Sequence, residues 1–301
     1  MARLSLYLLG PFSATLDGEL VTGFLSNKVR ALLVYLAAEM GARPPRTVAR
    51  PRESLTGLLW PDQLERSARA NLNNALSNLR SILGDRERVG TRAQPYLLIS
   101  REAIQFNPAS DCWVDVVEFS RLTEPGSPLS GSAAASSALV LRLEQALAIY
   151  RGTFLEGFSL RDSPSFEHWA LVTRERLQRL ALEALGRLCA HYEGQGEWGR
   201  AIELARRQLE LEPWDEAAHQ GLMRLLARSG RRAEALAQYK ACVQTLADEL
   251  GVEPSEETAM LHGRIRDETM GKEPGPVQAI APSPRRSAYP SSERESHGSN
   301  C

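Results

Sequence analysis

One stretch of this 301-residue chain gathers side chains that both donate and accept hydrogen bonds. From Arg66 to Leu83 it contains four asparagines, three arginines and three serines, and no carboxylate. At about 100° per residue, Leu64, Ala68, Leu72, Ala75, Leu76, Leu79 and Leu83 form one apolar face. Arg66, Ala70, Asn73, Asn74, Ser77 and Ser81 form the opposite one, flanked by Arg69 and Arg80 on one side and Asn71 and Asn78 on the other. Solvated helix faces ordinarily pair Glu with Lys at i,i+4, and asparagine, a poor helix former, gains nothing on such a face. The chemistry this face offers is base reading. A B-DNA major groove admits one α-helix, and there asparagine matches adenine, arginine matches guanine and serine suits either. Arg66, Ala70, Asn73, Asn74 and Ser77 are the expected base-reading positions.

The local charge agrees with that reading. Between Arg43 and Arg101 eleven arginines stand against five carboxylates, although the whole chain carries a net charge of −1. Neutralising phosphates supplies most non-specific affinity for DNA and makes it salt-dependent. Arg69 and Arg80 flank the reading face. Ser26 and Lys28 stand at the start of an earlier helix, where amides and the helix dipole favour an anion. Arg92 stands on the approach to a hairpin. These five are the expected phosphate contacts.

The elements that must hold this helix are legible from pattern. Leu4–Leu9, Phe12–Leu16 and Leu20-Val21 read as short strands separated by Gly10-Pro11 and Asp17-Gly18 turns. Ser26 caps a helix over Asn27–Met40 that buries Leu32, Leu33, Leu36 and Ala37 and stops at Gly41. After an arginine- and proline-rich stretch, residues 42–52, Ser54 starts a short helix carrying Leu55, Leu58, Leu59 and Trp60. The amide-rich helix follows and stops at Gly84. Tyr96–Ser100 and Ala103–Asn107, joined by Arg101-Glu102, form a β-hairpin. Strands, three helices and a hairpin, in that order, predict a winged helix-turn-helix over residues 1–122.

Residues 123–137 lack apolar periodicity and read as a linker. From 138 to 269 the pattern is helical and contains an echo: Gly196, Ala201 and Ile202 return 34 residues later as Gly230, Ala235 and Leu236, the tetratricopeptide period. The expected helices are Leu139–Tyr150, Ser165–Ala181, Leu185–Glu193, Trp198–Leu211, Ala217–Arg228 and Arg232–Leu250, with Trp169, Trp198 and Trp214 as repeat packing. Residues 270–301 are rich in Pro, Ser, Gly and charge and read as a disordered tail. The fold class is mainly α with a small β part.

The run Arg69–Gly84, preceded by Leu58-Leu-Trp-Pro-Asp, resembles the winged-helix signature of SARP-type (antibiotic regulatory protein) activators. Ala146–Phe158, Leu209–Glu216 and Glu249–Pro254 resemble their partner module, the bacterial transcriptional activator domain. Together the two resemblances cover most of residues 1–269. They imply a transcription activator that docks its third helix in the major groove of double-stranded DNA, rests its wing near the minor groove and contacts RNA polymerase.

Catalytic constellations are missing from the sequence: it has no HExxH, GxSxG or GxxxxGK[ST]. Cys112, Cys189, Cys242 and Cys301 form no CxxC pair, and His168, His191, His219 and His262 sit in helical patterns. No enzyme, cofactor or metal is expected. The longest apolar run, Ala31–Ala38, is far short of the roughly 18 residues of a membrane span, and the first residues show no signal-peptide pattern, so the cytoplasm is expected. A single winged helix reads a short half-site, which predicts two or more copies side by side on DNA. A second class of function stays open: a tetratricopeptide-like scaffold for protein partners, with only non-specific affinity for DNA.

Overall fold

The computed structural model describes residues 4–41, 49–85, 94–124 and 133–267. Arg92, most of the expected linker and the tail 270–301 lie outside those residues. The N-terminal half runs β1 (Leu4–Tyr7), β2 (Ser13–Leu16), β3 (Glu19–Leu20), α1 (Asn27–Ala38), β4 (Arg50–Pro51), α2 (Arg52–Leu59), α3 (Glu65–Ile82), β5 (Leu97–Ile99), β6 (Ala103–Phe106), β7 (Cys112–Val114) and α4 (Asp115–Thr123). The strands make two sheets, in the orders β3-β2-β1-β7 and β4-β6-β5. All pairs are antiparallel except β1 with β7. This is the expected winged helix with three additions: β4, which makes the hairpin a three-stranded wing, β7 and α4. Two- and three-residue strands are too short to show alternation, so only their tertiary partners define them.

Ser26 holds the N-cap position of α1, but its side chain makes no capping hydrogen bond. α1 buries Val29, Ala31, Leu32, Leu33, Val34, Leu36 and Ala37, more than one face, because it runs through the middle of the core. Leu64, expected on the apolar face of α3, is 82% exposed. It stands one residue before the helix begins, in extended backbone, and so is out of phase with the stripe it precedes.

The regular elements of the second half are helices: α5 (Ala133–Ile149), α6 (Pro164–Gly194), α7 (Trp198–Leu211), α8 (Glu216–Arg228), α9 (Arg232–Leu250) and α10 (Glu256–Arg266). The 34-residue echo is structural. Gly196 and Gly230 both take left-handed backbone, with φ of 74° and 78°. In each turn the following N–H reaches back to the carbonyl five positions earlier, Glu197 to Tyr192 at 2.9 Å and Arg231 to Leu226 at 2.8 Å, the bond of a Schellman motif. Ala201 and Ala235 are both fully buried. α5 starts at Ala133, inside the stretch read as linker. The expected pair Ser165–Ala181 and Leu185–Glu193 is instead the single 31-residue α6. Phe166, Ala170, Thr173, Leu177, Ala181, Ala184, Leu185, Leu188 and Tyr192 continue one buried stripe across the supposed break, so nothing ends the helix there.

α6 enters two cores. Phe166, Ala170, Leu177 and Ala181 belong to the core of the winged helix, whereas Ala184, Leu185, Leu188 and Tyr192 belong to that of the repeats. Ahead of α6, residues 150–163 strap across β1. Gly10 N–H donates to the Thr153 carbonyl at 3.0 Å, Leu155 N–H to Leu8 at 2.9 Å and Glu156 N–H to Gly10 at 3.1 Å. Trp169 is not repeat packing. Its ring meets Tyr35 edge-on at 4.9 Å, and its Nε1 donates to Glu39 Oε1 at 2.9 Å. Ser163 Oγ donates to the Leu59 carbonyl at 2.9 Å, capping the exit of α2 from the other half of the chain.

Asp115 secures the end of β1. Its fully buried carboxylate accepts the N–H groups of Leu8, Leu9 and Val116 at 2.7 to 2.9 Å. Burial pushes its carboxyl above the ordinary aspartate range against the pull of those donors and of Arg151, 3.7 Å away. Asp115→Ala would strand buried donors, each costing about 1–3 kcal/mol. We expect chemical denaturation to show a loss of at least about 3 kcal/mol in a single transition that takes both halves with it.

Candidate nucleic-acid interface

α3 is built to present one face. Ala68, Leu72, Ala75, Leu76 and Leu79 are buried, and the helix packs on α1 and α2. Arg66, Ala70, Asn73, Asn74, Ser77 and Ser81 are all exposed, and among the described residues the helices from α5 onward make at most marginal contact with α3. The five expected base-reading residues therefore lie on one open surface.

Hydrogen bonding divides the asparagines. Asn78 is structural: its Oδ1 accepts the Leu25 N–H and its Nδ2 donates to the Gly23 carbonyl, both at 3.1 Å, tying the loop before α1 to α3. Asn71 donates to Gln63 Oε1, bracing the turn between α2 and α3. Asn73 Oδ1 accepts from Arg52 Nη1 at 2.9 Å. Asn74 has no partner among the described residues. The sequence placed Asn71 and Asn78 beside the reading face but could not show which amides the fold consumes.

The expected phosphate contacts divide as well. Ser26 is exposed at the start of α1, next to the loop that Asn78 holds. Arg69 is exposed but ion-paired to Glu65 at 2.5 Å and Glu53 at 3.4 Å, acids in the first turns of α3 and α2. Arg80 is half-buried in a cleft with Asp85, Leu97 and Ser100, between α3 and the wing. Lys28 is turned away from the face. It pairs with Asp162 of the strap at 2.8 Å and stands over the Trp60 ring at 5.8 Å, and it holds the Asp162 carboxyl below the usual range. Arg66 has no ion pair among the described residues.

Two residues outside the sequence expectations position the wing. Asp85, just past α3 and buried, accepts the N–H groups of Tyr96 and Leu97 at 2.8 and 2.9 Å, and so fixes the hairpin to the end of the helix. Arg52 ties α2 to the wing turn: its N–H donates to the Glu102 carbonyl and its Nε to the Ser100 carbonyl, both at 3.0 Å. An arginine in the first turn of a helix opposes the helix dipole. That misfit was the available signal that Arg52 has another task. Arg52, Arg69, Arg101 and Asn73 line a cleft of about 610 Å³ between α2, α3 and the wing turn.

Known proteins share this arrangement. The bacterial transcriptional activator domain family matches residues 114–266, from the end of β7 through α10 and so from well ahead of position 138. Regulatory protein AfsR of Streptomyces griseus is 29% identical over 274 residues, which is 89% of this chain and 26% of that protein. Transcriptional regulatory protein EmbR of Mycobacterium tuberculosis (strain ATCC 25618 / H37Rv) is 28% identical over 274 residues, 87% of this chain and 63% of that protein. The solved structure of Mycobacterium tuberculosis EmbR in complex with a low affinity phosphopeptide superposes with a TM-score of 0.60 at 25% identity, over 88% of this chain and 65% of that one. The chain thus spans less than two thirds of the relatives it matches. With an open-faced winged helix in front and the matching helical domain behind, the chain belongs to the bacterial transcriptional activator domain family, in the SARP-type arrangement of transcriptional regulators.

Proposed function

We propose that the chain is a sequence-specific DNA-binding regulator, an activator that sets α3 in the major groove and contacts RNA polymerase through its helical domain. The observation that carries this reading is the face of α3: acid-free from Arg66 onward, exposed along its length, and left uncovered by the second half of the chain. Arg66, Ala70, Asn73, Asn74 and Ser77 read base edges, with Ala70 leaving room for a thymine methyl group. Ser26, Arg69 and Arg80 take phosphates, Arg69 by exchanging its two carboxylates for the DNA backbone. Lys28 would take a phosphate only by giving up Asp162. The names of AfsR and EmbR support regulation, and the family resemblance supports the polymerase contact. The short face supports two or more copies side by side on the duplex.

Selection of binding sites from random double-stranded DNA with the full chain tests the reading. A consensus with a repeat spacing is expected. Weak, sequence-blind binding would leave the helical-scaffold alternative in its place.

Asn74→Ala and Ser77→Ala should each lower preference for the selected site by about 1–3 kcal/mol, and Asn74→Ala should do so without lowering the melting temperature, since alanine is the better helix former. Asn78→Ala should do the reverse, costing about 1–2 kcal/mol of stability with no relaxation at any single base step. Arg66→Ala should reduce the slope of log affinity against log salt by about 1 if that side chain reaches a phosphate, and leave the slope unchanged while relaxing one step if it reads a base.

A further inference from the structure

The bond between Arg52 and Asn73 bears on what the reading face selects. Arg52 is half-buried and fixed at three points: its N–H to Glu102, its Nε to Ser100 and its Nη1 to Asn73 Oδ1. A guanidinium only donates and stays charged, so the atom of Asn73 that faces it must be the carbonyl oxygen. The orientation of this amide is thus set by chemistry. The Asn73 Nδ2 donors have no partner among the described residues, and the residue is exposed. One turn position on, Asn74 keeps both halves of its amide without a partner among the described residues.

Two neighbouring asparagines therefore offer different chemistry. Adenine presents an N7 acceptor beside an N6 amino donor, whereas guanine presents only acceptors, N7 and O6, and thymine the O4 acceptor. At Asn73 the oxygen keeps one lone pair beyond the Arg52 bond, but an adenine amino group reaching for it would come up beside a positive guanidinium, donor against donor. A guanine O6 or thymine O4 would meet the free Nδ2 donors, with the same guanidinium's charge in its favour. Asn74 carries the full pairing for adenine.

We propose that Arg52 is a specificity-determining positioning residue: it fixes the Asn73 amide and sets a positive charge beside its oxygen, so that Asn73 reads mainly as a donor and selects guanine or thymine, leaving adenine to Asn74. This rests on the DNA-reading role proposed above and specifies its base preference.

Site selection with the full-length wild type, Asn73→Ala and Arg52→Met tests it. Asn73→Ala should relax one step, at which the wild type prefers guanine or thymine over adenine by about tenfold or more. Arg52→Met should move that step alone toward adenine by about tenfold, because the positive donor beside Oδ1 and the fixed amide orientation are then gone. Adenine at the Asn73-dependent step in the wild type, no step responding to Asn73→Ala, or an Arg52→Met variant that weakens all steps equally would each overturn the proposal. Thermal melting reports whether Arg52→Met folds; where it does not, the wild type against Asn73→Ala decides alone. Failure of the wild type to select any consensus would instead defeat DNA reading itself, an outcome distinct from a consensus with the wrong base.

Discussion

The arrangement depends on one shared apolar core. β1, α1 and α2 do not close their own interior; Tyr150, Phe154, Leu155, Leu160 and Phe166 complete it from the helical half. Apolar burial is worth roughly 25 cal/mol per Å², and these side chains are large and almost fully enclosed. Polar ties run alongside: strap to the chain just past β1, Ser163 to the exit of α2, and Trp169 to Glu39. The two halves are therefore distinct in pattern but not independent in energy. Removing the helical half would expose the underside of the platform that carries α3, so a truncation aimed at one role disturbs the other.

With the platform fixed from behind, the front is free for chemistry. α3 uses its aliphatic side to dock on α1 and α2, and the fold then allots the polar groups of the other side. Asn78 and Asn71 are spent on loops, Asp85 anchors the wing, Glu53 and Glu65 hold Arg69, and Asn74 is left with its whole amide. A polar face rich in amides is partly scaffold. Only the hydrogen-bond partners separate its structural members from those able to meet a ligand.

The sequence carried the architecture and the exposed polar face of α3, because both follow from local periodicity. The 3.6-residue stripe of α3, the hairpin alternation and the 34-residue echo are short-range signals that tertiary packing did not override. What escaped was set by distant partners. β4 and β7 exist only through pairing with β6 and β1. Lys28 looked like a helix N-terminal phosphate ligand, but its partner Asp162 lies 134 positions away in the chain. The repeat echo alone splits α6 into two helices, although its buried stripe never breaks.

α6 has a mechanical corollary. At 1.5 Å per residue its 31 residues make a rod of about 46 Å, rooted at one end beneath the platform that carries α3 and at the other among the repeats. Such a rod resists swivelling, so angular phase on a duplex, at about 34° per base pair, would be inherited by the far tip of the molecule. Insertions of half a helical turn in bound DNA would then swing that tip to the opposite side of the double helix, and whole-turn insertions would bring it back.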